Sequence, residues 1–372
     1  MQQLGKKIYC DFNALRPFRK EVKEEILSVW DLVGNPSSIH AYGRKMRDLV
    51  ESSRRKIAEL LKLEPGHIVF CSGATEANNF VLSSFKGPVI VSSIEHPSIL
   101  DVRRDAHICS VNSDGVVSLE HLEQLLKTLP SPALVCVMAA NNETGVIQPI
   151  DDVASLVHMY GGVFHCDVVQ ALGRMPICWR GLDSFAISGL KLGGPFGVGI
   201  LGVNPQLSYE SLLKGGGQER GLRAGTENVW GIVGIAKAIE LALQENWQSA
   251  EEYRDWMENY ITTVCEDAIV IGNNTLRLPN TSLISMPNID SQQQLIQFDL
   301  HGIAVSNGSA CNSGKIKPSY VLANMGIAPE VARGCVRISF GPDILQEEIQ
   351  FLADTWCTIH TRNNEQKKQK HA

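Results

Sequence analysis

Apolar residues over the first two-thirds of the chain switch repeatedly between two spacings, and each switch predicts a change of element. In RKMRDLVESSRRKIAELL (44–61), Met46, Leu49, Val50, Ile57, Leu60 and Leu61 recur at the three-to-four-residue spacing of one helix face. Short apolar runs bounded by turn residues follow: HIVFCSG, PVIVSSIEH, ALVCVMAANNETG, GVFHCDVVQ, FAISGLK and GVGILGV. Each is about as long as a strand buried on both faces. Helical stretches such as LEHLEQLLKTL separate several of them. This alternation predicts βαβ units and an α/β fold with a mostly parallel sheet covered by helices. One long helical run is expected over 228–248, NVWGIVGIAKAIELALQENWQ, and a smaller α+β piece beyond it. The expected organisation is a large domain over 15–250, a small domain from 1–14 and 251–360, and a frayed polar tail over 361–372.

Ligands of an open parallel sheet bind beyond the carboxyl ends of its strands, so the polar residues ending the apolar runs are the candidates for chemistry. Ser72-Gly73-Ala74-Thr75-Glu76 follows HIVFC and opens a helix-compatible stretch. Its backbone N–H groups and the Thr75 hydroxyl suit a phosphate, although an ordinary helix cap reads the same way. His96 ends VIVSSIE and fits either a structural group or a proton carrier. Asn141-Asn142-Glu143-Thr144-Gly145 is a polar turn after LVCVMAA.

Asp167 ends VFHC, with Gln170 one turn on. A carboxylate there needs a cation or donor, either within the fold or as a bound cationic ring nitrogen. Lys191 lies between an apolar run and a glycine-rich turn. Desolvation there favours a neutral amine able to form a Schiff base, unless the side chain reaches the surface. Gly197–Gly202 matches G-x-G-x-x-G but continues into VNPQ rather than a helix, so the dinucleotide reading is set aside. Phosphate cup, stacking ring, anion and amine are together the parts that hold pyridoxal 5'-phosphate as an electron sink.

Composition narrows the class. The 372 residues are 44% hydrophobic and 20% charged, as in an ordinary globular enzyme. A formal net charge of −6 argues against direct nucleic-acid binding. Neither a signal peptide nor a membrane span is read, which predicts a cytoplasmic protein without a membrane partner. The ten cysteines should then be mostly reduced. Cys71, Cys109, Cys136, Cys166, Cys178, Cys335 and Cys357 sit in apolar or mixed runs as small hydrophobes. No C-x-x-C pair occurs, which leaves out zinc-ribbon and thioredoxin-type sites. Cys311, in SNGSACNSG (306–314), stands in a loop of small residues.

NPSSIHAYGR (35–44), SGATEANN (72–79), IEH (94–96), NNETG (141–145), SGLKLGGPFGVG (188–199), GGGQERGLRAGTEN (215–228), SNGSACNSG (306–314) and VRISFG (336–341) resemble the cysteine desulfurases. These are class V, fold-type I pyridoxal-phosphate enzymes, and the likeness is greatest to the branch serving iron–sulfur assembly and nitrogen fixation. The resemblance implies a Schiff base at Lys191, Asp167 on the pyridinium nitrogen, Gln170 on the phenolic oxygen, and His96 stacked on the ring as a proton relay. It implies phosphate contacts from Thr75 (beside Ala74) and Ser188, joined by Thr226 from the other subunit of a homodimer. Asn141 and Arg337 would hold the carboxylate of L-cysteine. Cys311 would take the sulfur as a persulfide, releasing alanine, and pass it to a protein acceptor such as a scaffold or thiolation protein.

Three departures stand out. Leu190 replaces a histidine that contacts phosphate in the family. The usual N-terminal Tyr-Leu-Asp-Asn-Ala-Ala-Thr-Thr reads here as Tyr9-Cys-Asp-Phe-Asn-Ala-Leu-Arg16, and no acceptor-binding C-terminus is recognisable. Alternative readings are a selenocysteine lyase or other class V enzyme, a desulfurase dedicated to tRNA thiolation or DNA phosphorothioation, and a non-catalytic partner-binding scaffold.

Overall fold

The computed structural model of the protein describes residues 7–308 and 319–371. Its strands are β1 (Ile8–Tyr9), β2 (Ile68–Cys71), β3 (Val89–Ser92), β4 (His107–Cys109), β5 (Leu134–Cys136), β6 (Val163–Asp167), β7 (Ser184–Ser188), β8 (Gly199–Val203), β9 (Ile269–Val270), β10 (Thr281–Ser285), β11 (Ile303–Ala304) and β12 (Cys335–Ser339). Its helices are α1 (Lys20–Val29), α2 (Ala41–Leu60), α3 (Ala74–Ser84), α4 (Pro97–Leu100), α5 (Leu119–Thr128), α6 (Ile150–Met159), α7 (Val229–Ala242), α8 (Gln248–Val264), α9 (Ser291–Leu300), α10 (Tyr320–Asn324), α11 (Pro329–Arg333) and α12 (Gln346–His371).

The central sheet has the order β2-β8-β7-β6-β5-β3-β4. Only β8 runs antiparallel to its neighbours, β2 and β7. The apolar runs are strands for a simple reason: alternate side chains point to opposite faces, and both faces are covered. Val69, Val91, Cys136 and Leu201 share a core with Phe80 and Val81 of α3. Their neighbours Phe70, Ile90, Val135 and Ile200 share another with Met46 and Ile57 of α2 and Ile235 of α7.

Two glycines of the 197–202 match, Gly199 and Gly202, serve packing in β8. A Cβ on Gly199 would lie 2.5 Å from the Cα of Gly73, and one on Gly202 would overlap the Phe185 ring. Gly199 thus lets the turn after β2 close tightly over the strand.

A second, antiparallel sheet has the order β12-β10-β9. It shares a core with Met257 and Ile261 of α8, Phe298 of α9, and Leu352 and Trp356 of α12. Ile8 and Cys10 belong to this core, and β1 pairs in parallel with β11. The chain therefore begins beside its C-terminal third, which carries residues 11–16 past the strand ends of the large sheet.

The structure corrects two expectations and adds a third point, a strand that was not read from the sequence. The helix expected over 228–248 ends at Ala242, and a separate helix begins at Gln248. The Trp247 indole donates to the Gly173 carbonyl at 2.6 Å, and Asn246 accepts from the Gln248 N–H at 2.9 Å; together these fix the turn between the helices. The polar stretch expected to fray is instead backbone of α12, helical through His371. Ile349, Leu352 and Trp356 are buried and nucleate the helix, after which Gln, Lys and Glu extend it at little cost. The third is β4, an edge strand of three residues, two of them exposed, so it carries almost no apolar signal.

No helix among the described residues is long and apolar enough to cross a membrane. No group of three or more His, Cys, Asp or Glu that could hold a metal ion is found among them either.

Candidate active site

At the carboxyl ends of the large sheet's strands lies a cleft of about 510 Å³, within the size range of small-molecule sites. Thr75 and Ala74 from the start of α3, His96, Asp167, Gln170, Ser188, Leu190, Lys191 and Arg337 all line it. Residues more than 250 positions apart thus share one wall, because each ends a strand or borders one.

The wall after β2 is the N-terminus of α3, where unpaired N–H groups and the partial positive end of the helix favour an anion. Ser72 donates its N–H to Glu76 at 2.8 Å, and its hydroxyl also bonds that carboxylate. Glu76 in turn pairs with Arg223 at 2.9 Å. Burial works to raise the Glu76 pKa, but the bonds from Arg223 and Ser72 outweigh it and hold it low.

Asp167 ends β6, buried. Its Oδ2 accepts from Asn78 at 2.9 Å and its Oδ1 from the Val169 N–H at 2.9 Å. The same Asn78 amide nitrogen donates to Ser98 Oγ at 2.8 Å, and Ser98 Oγ lies 2.9 Å from His96 Nδ1. With Asn78 as donor, the Ser98 hydroxyl proton points to His96. The Ser98 N–H also reaches Nδ1, at 3.1 Å. Two donors aimed at Nδ1 make it an acceptor, so the neutral ring carries its proton on Nε2. Asp167 and His96 are therefore one hydrogen-bonded unit.

Behind them, His165 bonds Asn78 Oδ1 at 2.9 Å and Ser184 Oγ at 2.8 Å. Burial pushes the His165 pKa down to about 3, so it serves as a fixed neutral prop for Asn78.

Lys191 sits in a 3₁₀ turn (Gly189–Leu192) directly after β7. Gly193 follows at φ 73°, and a Cβ there would meet the Pro17 carbonyl at 2.8 Å. That close approach brings the N-terminal segment over the lysine. Its amine donates to the carbonyls of Asn13 (2.8 Å) and Ala14 (2.6 Å).

Arg337 reaches in from β12, holding Asp11 at 2.6 Å and the Asn142 carbonyl at 2.9 Å, with its Nε buried and without a partner among the described residues. Glu143, the next residue, is buried, and burial raises its pKa; Ser319, Arg337 and His96 counter only part of that rise.

Two of the expected residues lie off the cleft. Asn141 is fully buried and spent on its own turn: its Oδ1 accepts from the Glu143 and Thr144 N–H groups at 2.9 and 3.0 Å, and its amide donates to the Ile94 carbonyl at 3.2 Å. The neighbouring Asn142 lines the cleft instead, with a buried Oδ1 that has no partner among the described residues. Thr226 is exposed and lines an adjoining cavity of about 110 Å³. Cys311 lies outside the described residues, although Gly308, three positions earlier, lines the cleft.

Of the other nine cysteines, all free, only Cys178 is exposed, against the expectation that it packs as a hydrophobe. Burial pushes the thiols of Cys71, Cys109, Cys335 and Cys357 up to about 12, so they are poor nucleophiles near neutral pH.

Asn13, Asn78, Ser98 and Arg174 join the site and were not read from the sequence as site residues, and Asn142 was read only as part of the polar turn after LVCVMAA. Asn13 had one visible signal, its place in an N-terminal run that departs from the family pattern.

These residues fit pyridoxal phosphate: an amine, a buried carboxylate, a ring and a helix N-terminus with hydroxyls share one cleft of suitable volume. The comparisons agree in kind. Residues 8–352 match the class-V aminotransferase family. The chain is 35% identical to the cysteine desulfurase IscS of Dictyoglomus turgidum, covering 94% of both chains. It superposes on a NifS-like protein from Rickettsia africae with a TM-score of 0.89 at 37% identity, covering 96% of this chain and all of that one. A structure of SspA in complex with cysteine matches with a TM-score of 0.79 at 29% identity, over 91% of this chain and 100% of that one. On fold and relatedness alike, the chain belongs to the cysteine desulfurases of the class-V aminotransferase family.

Proposed function

We propose that this desulfurase holds pyridoxal 5'-phosphate on Lys191 and takes sulfur from L-cysteine, yielding L-alanine and a persulfide on Cys311 for a protein acceptor. The observation that carries the proposal is the convergence of Lys191, Asp167, His96 and Arg337 on one cleft. When bound, the cofactor supplies an electron sink for bonds around the amino-acid Cα.

The protein's own groups do the rest. The start of α3, with Thr75 and Ser188, binds the phosphate. Asp167, already fixed by Asn78 and the Val169 N–H, presents a carboxylate to the pyridine nitrogen. Gln170 hydrogen-bonds the phenolic oxygen. Arg337 and Asn142, rather than the turn-bound Asn141, hold the substrate carboxylate; a guanidinium suits it in charge and shape. His96 offers a proton from Nε2 on the face of the cleft. The Cys311 thiolate takes the substrate sulfur as the Cβ–S bond breaks. The bonding pair stays on carbon, which gains a proton to become the methyl group of alanine.

The same reading makes the enzyme a cytoplasmic homodimer. Trp30 and Trp230, with ring centroids 5.2 Å apart, are both exposed, as are Val33 and Ile39 on the segment leading into α2 and Tyr42 in its first turn. An apolar surface of this kind suits burial against a second copy, and Thr226 stands just before α7, where such a copy would bring it toward the neighbouring cleft. A large domain (15–250) and a small one (1–14 with 251–360) are part of the proposal, supported by the shared core of Ile8, Cys10 and the C-terminal elements.

The test is a visible absorption band of the purified protein that disappears in Lys191→Ala, with equimolar alanine and sulfide formed from L-cysteine and a thiol. A panel of cysteine, selenocysteine and cysteine sulfinate separates the desulfurase reading from a lyase for another substrate. Turnover of selenocysteine without turnover of cysteine would overturn it.

A further inference from the structure

Behind the cleft, Arg174 is a buried guanidinium bonded to two neutral amides. One nitrogen, Nη1, donates to Asn13 Oδ1 at 2.7 Å and to Gln170 Oε1 at 2.9 Å. Arg174 makes no ion pair among the described residues; the nearby Glu245 is bonded to Arg16 and Arg19 instead.

The bond to Oε1 decides how the Gln170 amide is turned. With the oxygen held by Arg174, Nε2 must face the other way, and it donates to the Asn13 carbonyl at 3.0 Å. That carbonyl also accepts from Lys191 Nζ at 2.8 Å. The guanidinium is therefore linked to the lysine nitrogen through the Gln170 amide and one peptide carbonyl. Asn13 is anchored on its other side too, with Nδ2 donating to Thr281 Oγ1 (3.0 Å) and to the Asn142 carbonyl (3.2 Å).

We infer that Arg174 is a positioning residue of the reaction: it locks the Gln170 amide with its N–H donors toward the cleft, and its charge lowers the proton affinity of the nitrogen at Lys191. A cation close by disfavours a second positive charge. Among the described residues, the other charged or titratable groups lining the same cleft are Glu76 from α3, His96 after β3, Asp167 from β6 and Arg337 from β12. Arg174 itself is faced by Arg16 and Glu245 from the packed segments and by Arg337; burial, more than these, pulls its own pKa down to about 9. It is thus still charged at neutral pH.

This inference rests on the cofactor reading, and the experiment separates the two. The visible band of the pyridoxal-phosphate-loaded protein is titrated with pH in wild type, Arg174→Met and Arg174→Lys. Arg174→Met is expected to raise the midpoint by about one to two pH units, the effect of removing a unit charge a few hydrogen bonds away at an effective dielectric near ~20. Arg174→Lys, compared over the pH range in which its buried amine stays protonated, is expected to stay within about half a unit of wild type. If Arg174→Met does not retain the cofactor, Arg174→Gln, which can still hydrogen-bond the amides, takes its place, with the same rise expected. A neutral variant titrating with wild type, or a lysine variant shifting as far as the neutral one, overturns the inference. Absence of the band in wild type, or its persistence in Lys191→Ala, overturns the cofactor reading instead.

Discussion

Replacing Glu219 by Gln should destabilise the protein far more than one side-chain atom suggests. Glu219 and Arg54 form a buried two-pronged pair at 2.7 and 2.8 Å, with side chains 2% and 6% exposed. Glu219 also accepts the Phe70 N–H at 2.8 Å, and Arg54 donates to the Ile68 carbonyl at 2.7 Å, so the pair ties the GGGQERGLRAGT segment to β2. Burial alone would lower the Arg54 pKa; the hydrogen bonds and attraction of Glu219 reverse that and raise it. The pair also holds strained backbone, since Glu219 and Arg220 have φ of 46° and 59°. Glutamine leaves the buried guanidinium with only the half-exposed Glu51, 3.2 Å away, as counter-charge, a loss of about 3–5 kcal/mol. At ~2.1 cal/mol/K per residue of unfolding entropy, the 372-residue chain would lose about 4–6 °C in melting temperature. Differential scanning calorimetry of Glu219→Gln, Arg54→Met and the double variant reads this directly. The double variant should lose clearly less than the sum of the singles. A Glu219→Gln melting point within about 1 °C of wild type, or strictly additive losses, would refute the reasoning.

Other consequences are equally open to measurement. Glu95 is fully buried, its Oε2 without a partner among the described residues, and burial, with a smaller push from Asp167, raises its pKa well above 4.5. The folded state then holds a proton the unfolded chain has lost, so stability falls as pH rises above 4.5, by up to about 1.4 kcal/mol per pH unit. Glu95→Gln should flatten that slope in denaturant titrations at several pH values; parallel slopes would count against a protonated Glu95. Ser98→Ala removes the hydroxyl between Asn78 and His96, while the backbone N–H of residue 98 still reaches Nδ1. It should cut kcat about tenfold, with fold and cofactor content retained, as expected for a loosened proton donor; an unchanged kcat would remove Ser98 from the site. Leu190→His places a donor on the cleft wall where the family resemblance puts one, and should tighten pyridoxal-phosphate binding about tenfold in equilibrium dialysis, the effect of one charge-assisted bond. Unchanged affinity would mean that position 190 does not face the phosphate.

The sheet was legible because its buried strands are mostly apolar runs, in which His165 of β6 and Ser184 of β7 are isolated polar exceptions that bond each other. The direction of β8 was not legible, since its hydrophobic run looks the same either way along the sheet. The end of α7 was hidden because the residues that stop it, Gly173 and Trp247, act across the fold. Site residues at strand ends could be singled out by their contrast with the run before them, as with Asp167 and Lys191. Residues that reach the cleft through the fold could not. Arg174 and Asn78 matter for what they hold, and the choice between Asn141 and Asn142 depends on which amide the turn consumes.

The most direct test of the account follows the sulfur. After incubation with L-cysteine in the absence of reductant, the intact protein should gain the mass of one sulfur atom, an addition that a small thiol removes. Peptide mass spectrometry should map it to Cys311, and it should be absent from both Cys311→Ala and Lys191→Ala. Sulfur mapped to another cysteine, or an addition that persists in Lys191→Ala, would contradict the account.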